Sequence, residues 1–94
     1  MRSPVASEIV LLARVLSRLT PQDRPAQAAS ILAETDKADA HRRETGRAHP
    51  AFGDGSLMAR CSLLLPPPEP LADDPDFLAC LALAANAVLF HSSR

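Results

Sequence analysis

The sequence has neither Trp nor Tyr and only three Phe among its 94 residues, so an aromatic core is excluded. With 47% of residues hydrophobic, the interior has to come from Leu, Ala, Val and Ile, a mixture that favours helices. Lysine occurs once, against nine arginines, and the net charge is only −1 with 22% charged residues. That balance argues against a strongly basic nucleic-acid binder and against disorder of the whole chain. The arginine excess suits phosphate or carboxylate recognition by planar guanidinium groups, although a GC-rich genome explains it more simply. The two cysteines, Cys61 and Cys80, lack a CxxC partner, a nearby His pair and a secretory leader, so buried free thiols are expected. Glu8 and Arg14 interrupt the apolar N-terminal run, and a cytoplasmic location is expected. The apolar stretch from Phe77 to Phe90 is broken by Asn86 and is shorter than the roughly 20 residues a membrane span needs, so it reads as a buried helix. No internal repeat is present, and a chain of this length makes one domain.

What is present is helical periodicity with punctuation. The fold expected is all-α, a bundle of three or four helices near residues 4–19, 24–45, 56–64 and 75–91, with a proline-rich spacer at 66–70. In the first helix Ser3 reads as the cap and Pro4 as the first helical residue, and Val5, Ile9, Leu12, Leu16 and Leu19 recur at spacings of four and three. Thr20-Pro21-Gln22-Asp23 reads as a second cap, but Pro25 disfavours helix at Arg24, so the continuous helix begins near Asp23 or Arg24. Its inner face is Ala28, Ile31, Leu32, Thr35 and Ala38, and Gly46 closes it in the left-handed region. After a loop containing His49-Pro50 and Gly53-Asp54-Gly55, Asp54 or Ser56 caps a short helix with Leu57, Met58, Cys61 and Leu64 on its apolar side. Asp73-Asp74-Pro75-Asp76 announces the last helix, whose apolar residues occupy nearly every direction around the axis. One packed face cannot hide them all. Self-association through this helix is therefore expected, with Phe77, Leu81, Leu83, Val88 and Leu89 at the interface and Asn86 setting register.

The densest polar cluster, at the end of the second helix, contains Lys37, Arg42, Arg43 and Arg47 among Asp36, Asp39, Glu44, His41 and His49. A solvated, salt-bridged helix end accounts for it, with Asp39 pairing Arg43 at i, i+4; phosphate contact by the arginines is the alternative. His41, His49 and Cys61 are able to ligate zinc, but separations of eight and twelve residues match no compact ligand spacing, and no metal site is expected. Ser56 with His49 and Asp54 is better read as a helix cap than as a nucleophile with its base, and neither an enzyme nor a cofactor is expected. Gln22, Arg24 and Gln27 stand where a helix-turn-helix would contact bases, but Asp23 and the scattered arginines make a weak positive surface.

The strings Leu32-Ala33-Glu34, Ala38-Asp39-Ala40-His41-Arg42-Arg43-Glu44-Thr45-Gly46-Arg47-Ala48-His49-Pro50 and Gly53-Asp54-Gly55-Ser56-Leu57-Met58, followed by Asp73-Asp74-Pro75 and Cys80-Leu81-Ala82-Leu83, cover most of the chain. Together they resemble a family of short alphaproteobacterial proteins of gene-transfer-agent clusters, encoded beside the large terminase and acting as a small terminase. The resemblance implies a non-enzymatic, ring-forming homo-oligomer that engages double-stranded DNA and passes it to the large terminase. With no glycine-rich Walker loop in this chain, ATP hydrolysis then belongs to that partner. The sequence departs from familiar small terminases in having no DNA-reading domain ahead of its oligomerisation helices. The DNA contact it implies is accordingly weak and non-specific, through Arg42, Arg43, Arg47 and Lys37, and gains strength by avidity. The alternative is a helical protein–protein adaptor or regulatory protein that makes no DNA contact.

Overall fold

Residues 1–92 are described by a computed structural model, in which they form α1 (Ala6–Leu16), α2 (Arg24–Thr45), α3 (Leu57–Ser62) and α4 (Pro75–Ser92). The only strand-like pairing among the described residues is a single bridge between His49 and Gly53. The all-α expectation holds, and α2 begins and ends where its caps place it.

Helix α1 is shorter than its periodicity suggests, and it is capped by Val5 rather than Ser3. The Arg2 amide donates to the Gly55 carbonyl (3.1 Å), which draws the first residues away from a helical path. The Glu8 carboxylate instead accepts from the Val5 amide (3.1 Å), half of a capping box. Its other oxygen accepts from the Met58 amide (2.9 Å), so one carboxylate serves the N-termini of α1 and α3. At the far end Arg18 and Leu19 donate back to Val15 and Leu16 in tightened turns, and Pro21 forces Thr20 out of helical geometry. The buried stripe is Leu12, Ala13, Val15 and Leu16, whereas Val5 lies outside the helix and is exposed.

Arg24, in the first turn of α2, reaches Asp76 in the first turn of α4, and Asp36 reaches His91 in the last turn of α4. The two long helices therefore run parallel. The chain order gives an up-down-up-down bundle in which α1 and α2 each pack on α3 and α4. Leu12, Leu16, Ile31, Leu32, Leu57, Cys61 and Cys80 are fully buried between them. Each such aliphatic side chain contributes about 1.5–3 kcal/mol relative to exposure. The radius of gyration is 12.9 Å, close to the roughly 12 Å expected for a domain of this length. The longest extent, 42 Å, arises because α2, at about 33 Å, outruns its neighbours.

Ser56 caps α3, its hydroxyl accepting from the Ala59 amide (3.1 Å). Leu57 and Cys61 face the core, but Met58, expected on the apolar side, is exposed. The helix ends two residues earlier than its pattern because Leu63 and Leu64 close it in a tight turn. From there the chain crosses to α4 as a strap, residues 64–71, without helix or strand. Arg18 holds it by donating to the Leu64 carbonyl (3.0 Å) and Arg14 by donating to the Pro67 carbonyl (2.8 Å). Leu65 enters it with φ 53°, a left-handed conformation that costs a residue with a Cβ about 1–2 kcal/mol.

Candidate functional site

At the start of α2 the Arg24 side chain is almost completely buried. Its Nε donates to the Leu16 carbonyl (3.0 Å) and the Leu19 carbonyl (3.1 Å), satisfying the end of α1, while Nη1 and Nη2 pair bidentately with Asp76 (2.9 and 3.0 Å). That hydrogen-bonded pair holds the Asp76 carboxyl below its ordinary value. All three nitrogens of this guanidinium are committed to holding α1, α2 and α4 together, so Arg24 is not available for base contact, and the helix-turn-helix reading loses its central residue.

The opposite end of α2 is open. Asp36 lies beside the last turn of α4, with His91 Nε2 2.7 Å from its carboxylate. Burial alone pushes the Asp36 carboxyl up, but the Met1 ammonium and His91 outweigh that and hold it below its ordinary value. Beyond Asp36, residues 37–45 carry α2 about 13 Å past that contact. Lys37, Arg42, Arg43 and Arg47 are all exposed there. The structure does not gather them into one patch. Arg43 is tied to Asp39 at 3.3 Å, as the i, i+4 spacing suggests, and Lys37 lies about 140° around the helix from Arg42. Arg42 and Arg47 form no ion pair among the described residues.

The loop after α2 is folded tightly against it. His49 Nδ1 accepts from the Ala51 and Phe52 amides (3.0 and 3.1 Å), and its ring stacks on Phe52 (4.7 Å between centroids) and meets His41 edge-on (5.1 Å). Arg60 lies over the other partner of that stack, 5.1 Å from the Phe52 ring centre, and pairs with Glu34 at 3.2 Å. Gly55 sits so close to α2 that a Cβ there would lie 2.7 Å from Asp39 Cα. Asp54 accepts from the Ser56 hydroxyl (2.7 Å) and amide and pairs with Arg2 (2.8 Å). These bonds, the Ser56 ones foremost, hold its carboxyl down at about 2. Asp54 and Ser56 are thus bonded to each other in the cap of α3, and His49 is engaged apart from them in its own turn, with no hydroxyl–imidazole contact among the described residues. Burial pushes the Cys61 thiol up to about 12 and raises Cys80 also, so both stay protonated. Among the described residues no group of three or more His, Cys, Asp and Glu side chains is arranged to hold a metal.

Helix α4 is the described helix long and apolar enough to cross a membrane by length and composition, yet only one stripe of it is buried: Phe77, Cys80, Ala84 and Val88. Phe77 and Val88, expected at an oligomer interface, are therefore part of the chain's own core. Leu81 and Leu83 are half-buried, and of the five expected residues only Leu89 is fully outward. Sequence reasoning missed the actual outer stripe: Leu78, Ala82, Ala85 and Leu89 are exposed at spacings of four, three and four. It lies about 120° around the helix from the core stripe. The spacing was present in the sequence, but nothing there distinguished it from the parallel core stripe one residue away. On the other flank Leu83, Asn86, Ala87 and Phe90 face Ala29 and Ala33 of α2 across an open groove of about 580 Å³. Small side chains on α2 make the trough. Asn86 is on this groove, where it supplies a polar group in an apolar wall.

Residues 2–88 match the family described as a domain of unknown function, DUF7742. No curated protein and no solved structure matches the chain.

Proposed function

The chain belongs to the DUF7742 family, and from that premise we propose that it is a non-enzymatic helical assembly subunit of the small-terminase type. It self-associates into a ring through the outer face of α4, meets duplex DNA weakly and without sequence preference, and hands it to a large terminase ATPase. The observation that carries the assembly reading is the exposed stripe Leu78, Ala82, Ala85 and Leu89, beside the half-open α2–α4 groove. Its four-three-four spacing is that of a coiled-coil seam, and it extends about 16 Å, enough for two to three layers of knobs-into-holes packing. A single-chain protein gains nothing from presenting such a face to water.

The DNA part of the reading rests on the resemblance and on the projecting end of α2. With Arg43 bonded to Asp39, each subunit offers Arg42 and Arg47 freely and Arg43 or Lys37 at most in part. That is too few phosphate contacts for one subunit, so affinity depends on several subunits meeting one duplex. A second reading, a helical adaptor without DNA contact, is favoured by the net charge of −1 and by that same Asp39–Arg43 pair. Fluorescence anisotropy with a labelled duplex at low and moderate salt separates the two. The packaging reading expects weak, salt-sensitive binding that Arg42→Ala/Arg43→Ala reduces at least fivefold and that a dissociated α4 variant abolishes. Absence of binding by the wild-type oligomer at low salt leaves the adaptor.

A further inference from the structure

The strap between α3 and α4 is a second surface, separate from α4 and from the basic end of α2. Proline fixes its own φ near the polyproline II value and disfavours helical geometry in the residue before it, so Pro66-Pro67-Pro68-Glu69-Pro70 is restricted to the polyproline II region. A polyproline II helix has three residues per turn, and every third side chain shares an edge. Within the strap the burial pattern follows that period at Pro67 and Pro70 on one edge and at Pro68 and Leu71 on another, while Leu64 and Leu65 belong to the turn at its start. Leu64, Pro67 and Pro70 are half-buried, and the carbonyls of the first two are held by Arg18 and Arg14. Leu65, Pro68 and Leu71 are exposed, the two leucines by 73% and 79%. Leu65 takes a left-handed φ at the junction while its side chain stays in solvent. An apolar edge is thus turned outward by a scaffold that grips the opposite edge.

We propose that this strap docks a second protein, one that presents a shallow groove between aromatic side chains with basic residues on its rim. Prolines supply no backbone donors, so the strap cannot be extended by strand pairing, and its pitch fits no groove made for a helix. Ridges of proline and leucine at three-residue spacing fit between aromatic rings, and a segment already extended loses little freedom on binding. The rim follows from charge: Glu69 and Asp73 are exposed on and just after the strap, with Asp74 beside them. A second copy of this chain does not fit the groove. It has no Trp or Tyr, and of its three Phe, Phe77 is buried, Phe52 is stacked on His49, and only Phe90 is exposed.

The test uses the intact chain with a photo-reactive phenylalanine analogue at position 71, and a control with the analogue at position 78 on α4, in the cells that make the protein. The expected result is a position-71 crosslink to a different protein at a site bearing at least two aromatic side chains. With that protein purified, Pro68→Gly and Leu71→Ser should each weaken binding at least tenfold and Glu69→Arg about threefold. Gln27→Ser, on the exposed side of α2, should leave it within twofold, and circular dichroism should be unchanged for all four variants. A position-71 crosslink to the chain itself, no crosslink at all, or binding indifferent to Pro68→Gly and Leu71→Ser would each overturn the proposal and reduce the strap to a connector. The position-78 crosslink reports separately on self-association, so either surface can fail without the other.

Discussion

The parallel helices α2 and α4 bury comparable stripes and show water opposite faces. α2 hides Ala28, Ile31, Leu32, Thr35 and Ala38 and exposes charged and polar residues among alanines, with no large apolar side chain. α4 hides Phe77, Cys80, Ala84 and Val88 and exposes Leu78, Leu89 and Phe90 with several alanines. Burial in a bundle is set by geometry, about one stripe per helix, and not by how much apolar surface a helix brings. The surplus on α4 is the apolar surface that the proposed contact between copies would cover. On α2 the corresponding contrast is in where arginine is spent, since Arg24 at one end is sealed and Arg42 and Arg47 at the other are open.

The comparison is broken most severely at the joint between the two helices. Arg24→Ala takes the side-chain donor from the Leu19 carbonyl, leaves the Leu16 carbonyl with only the Leu19 amide, and removes the bidentate pair with Asp76. The expected loss is about 3 kcal/mol, or about 15 °C in thermal midpoint for a domain of this size. A calorimetric midpoint lowered by less than about 5 °C would remove Arg24 from the account of the fold. At the open end, Gly55→Ala places a Cβ 2.7 Å from Asp39 Cα at φ 96°, and a loss of about 2 kcal/mol is expected in urea unfolding. If the variant unfolds like the wild type, the loop is not pressed on α2 as described.

A smaller effect is expected in acid. The Asp54 carboxyl is held down at about 2, so the stability it provides is complete above its ordinary value near 3.8 and is lost as pH falls through 2. Because its side chain is 38% exposed, solvent screening reduces that contribution to about 1 kcal/mol. Thermal midpoints measured from pH 5 to pH 2 should fall less steeply for Asp54→Asn than for the wild type. Equal slopes would mean that the Arg2–Asp54–Ser56 group contributes nothing.

Much of this architecture is legible in the sequence because short-range rules decide it. Pro25, Gly46, Ser56 and Asp74 mark helix ends by their own covalent chemistry, and the α2 core stripe follows from spacing alone. The errors arise where distant residues intervene. Ser3 fails as a cap because Arg2 bonds to Gly55, and Arg24 looks like a surface residue until Asp76, 52 positions away, closes on it. For α4 the sequence shows that some apolar surface must remain, but choosing between Leu78 and Phe77 requires knowing which direction the rest of the bundle occupies. The basic cluster misleads in a different way: Lys37 lies about 140° around α2 from Arg42, Arg47 lies beyond the helix, and Asp39 takes Arg43.

The exposed stripe of α4 is proposed as an interface between copies of the chain. Its direct test is the mass in solution by multi-angle light scattering, over a hundredfold range of concentration, for the wild type, for Leu89→Asp on the outer stripe, and for Lys37→Asp on α2 as a surface control. A multiple of the 10.0 kDa chain mass is expected for the wild type and for Lys37→Asp. Leu89→Asp should be a monomer with unchanged helix content and a stability within about 0.5 kcal/mol of the isolated wild-type subunit. A wild-type chain of 10.0 kDa at every concentration would contradict the proposed interface.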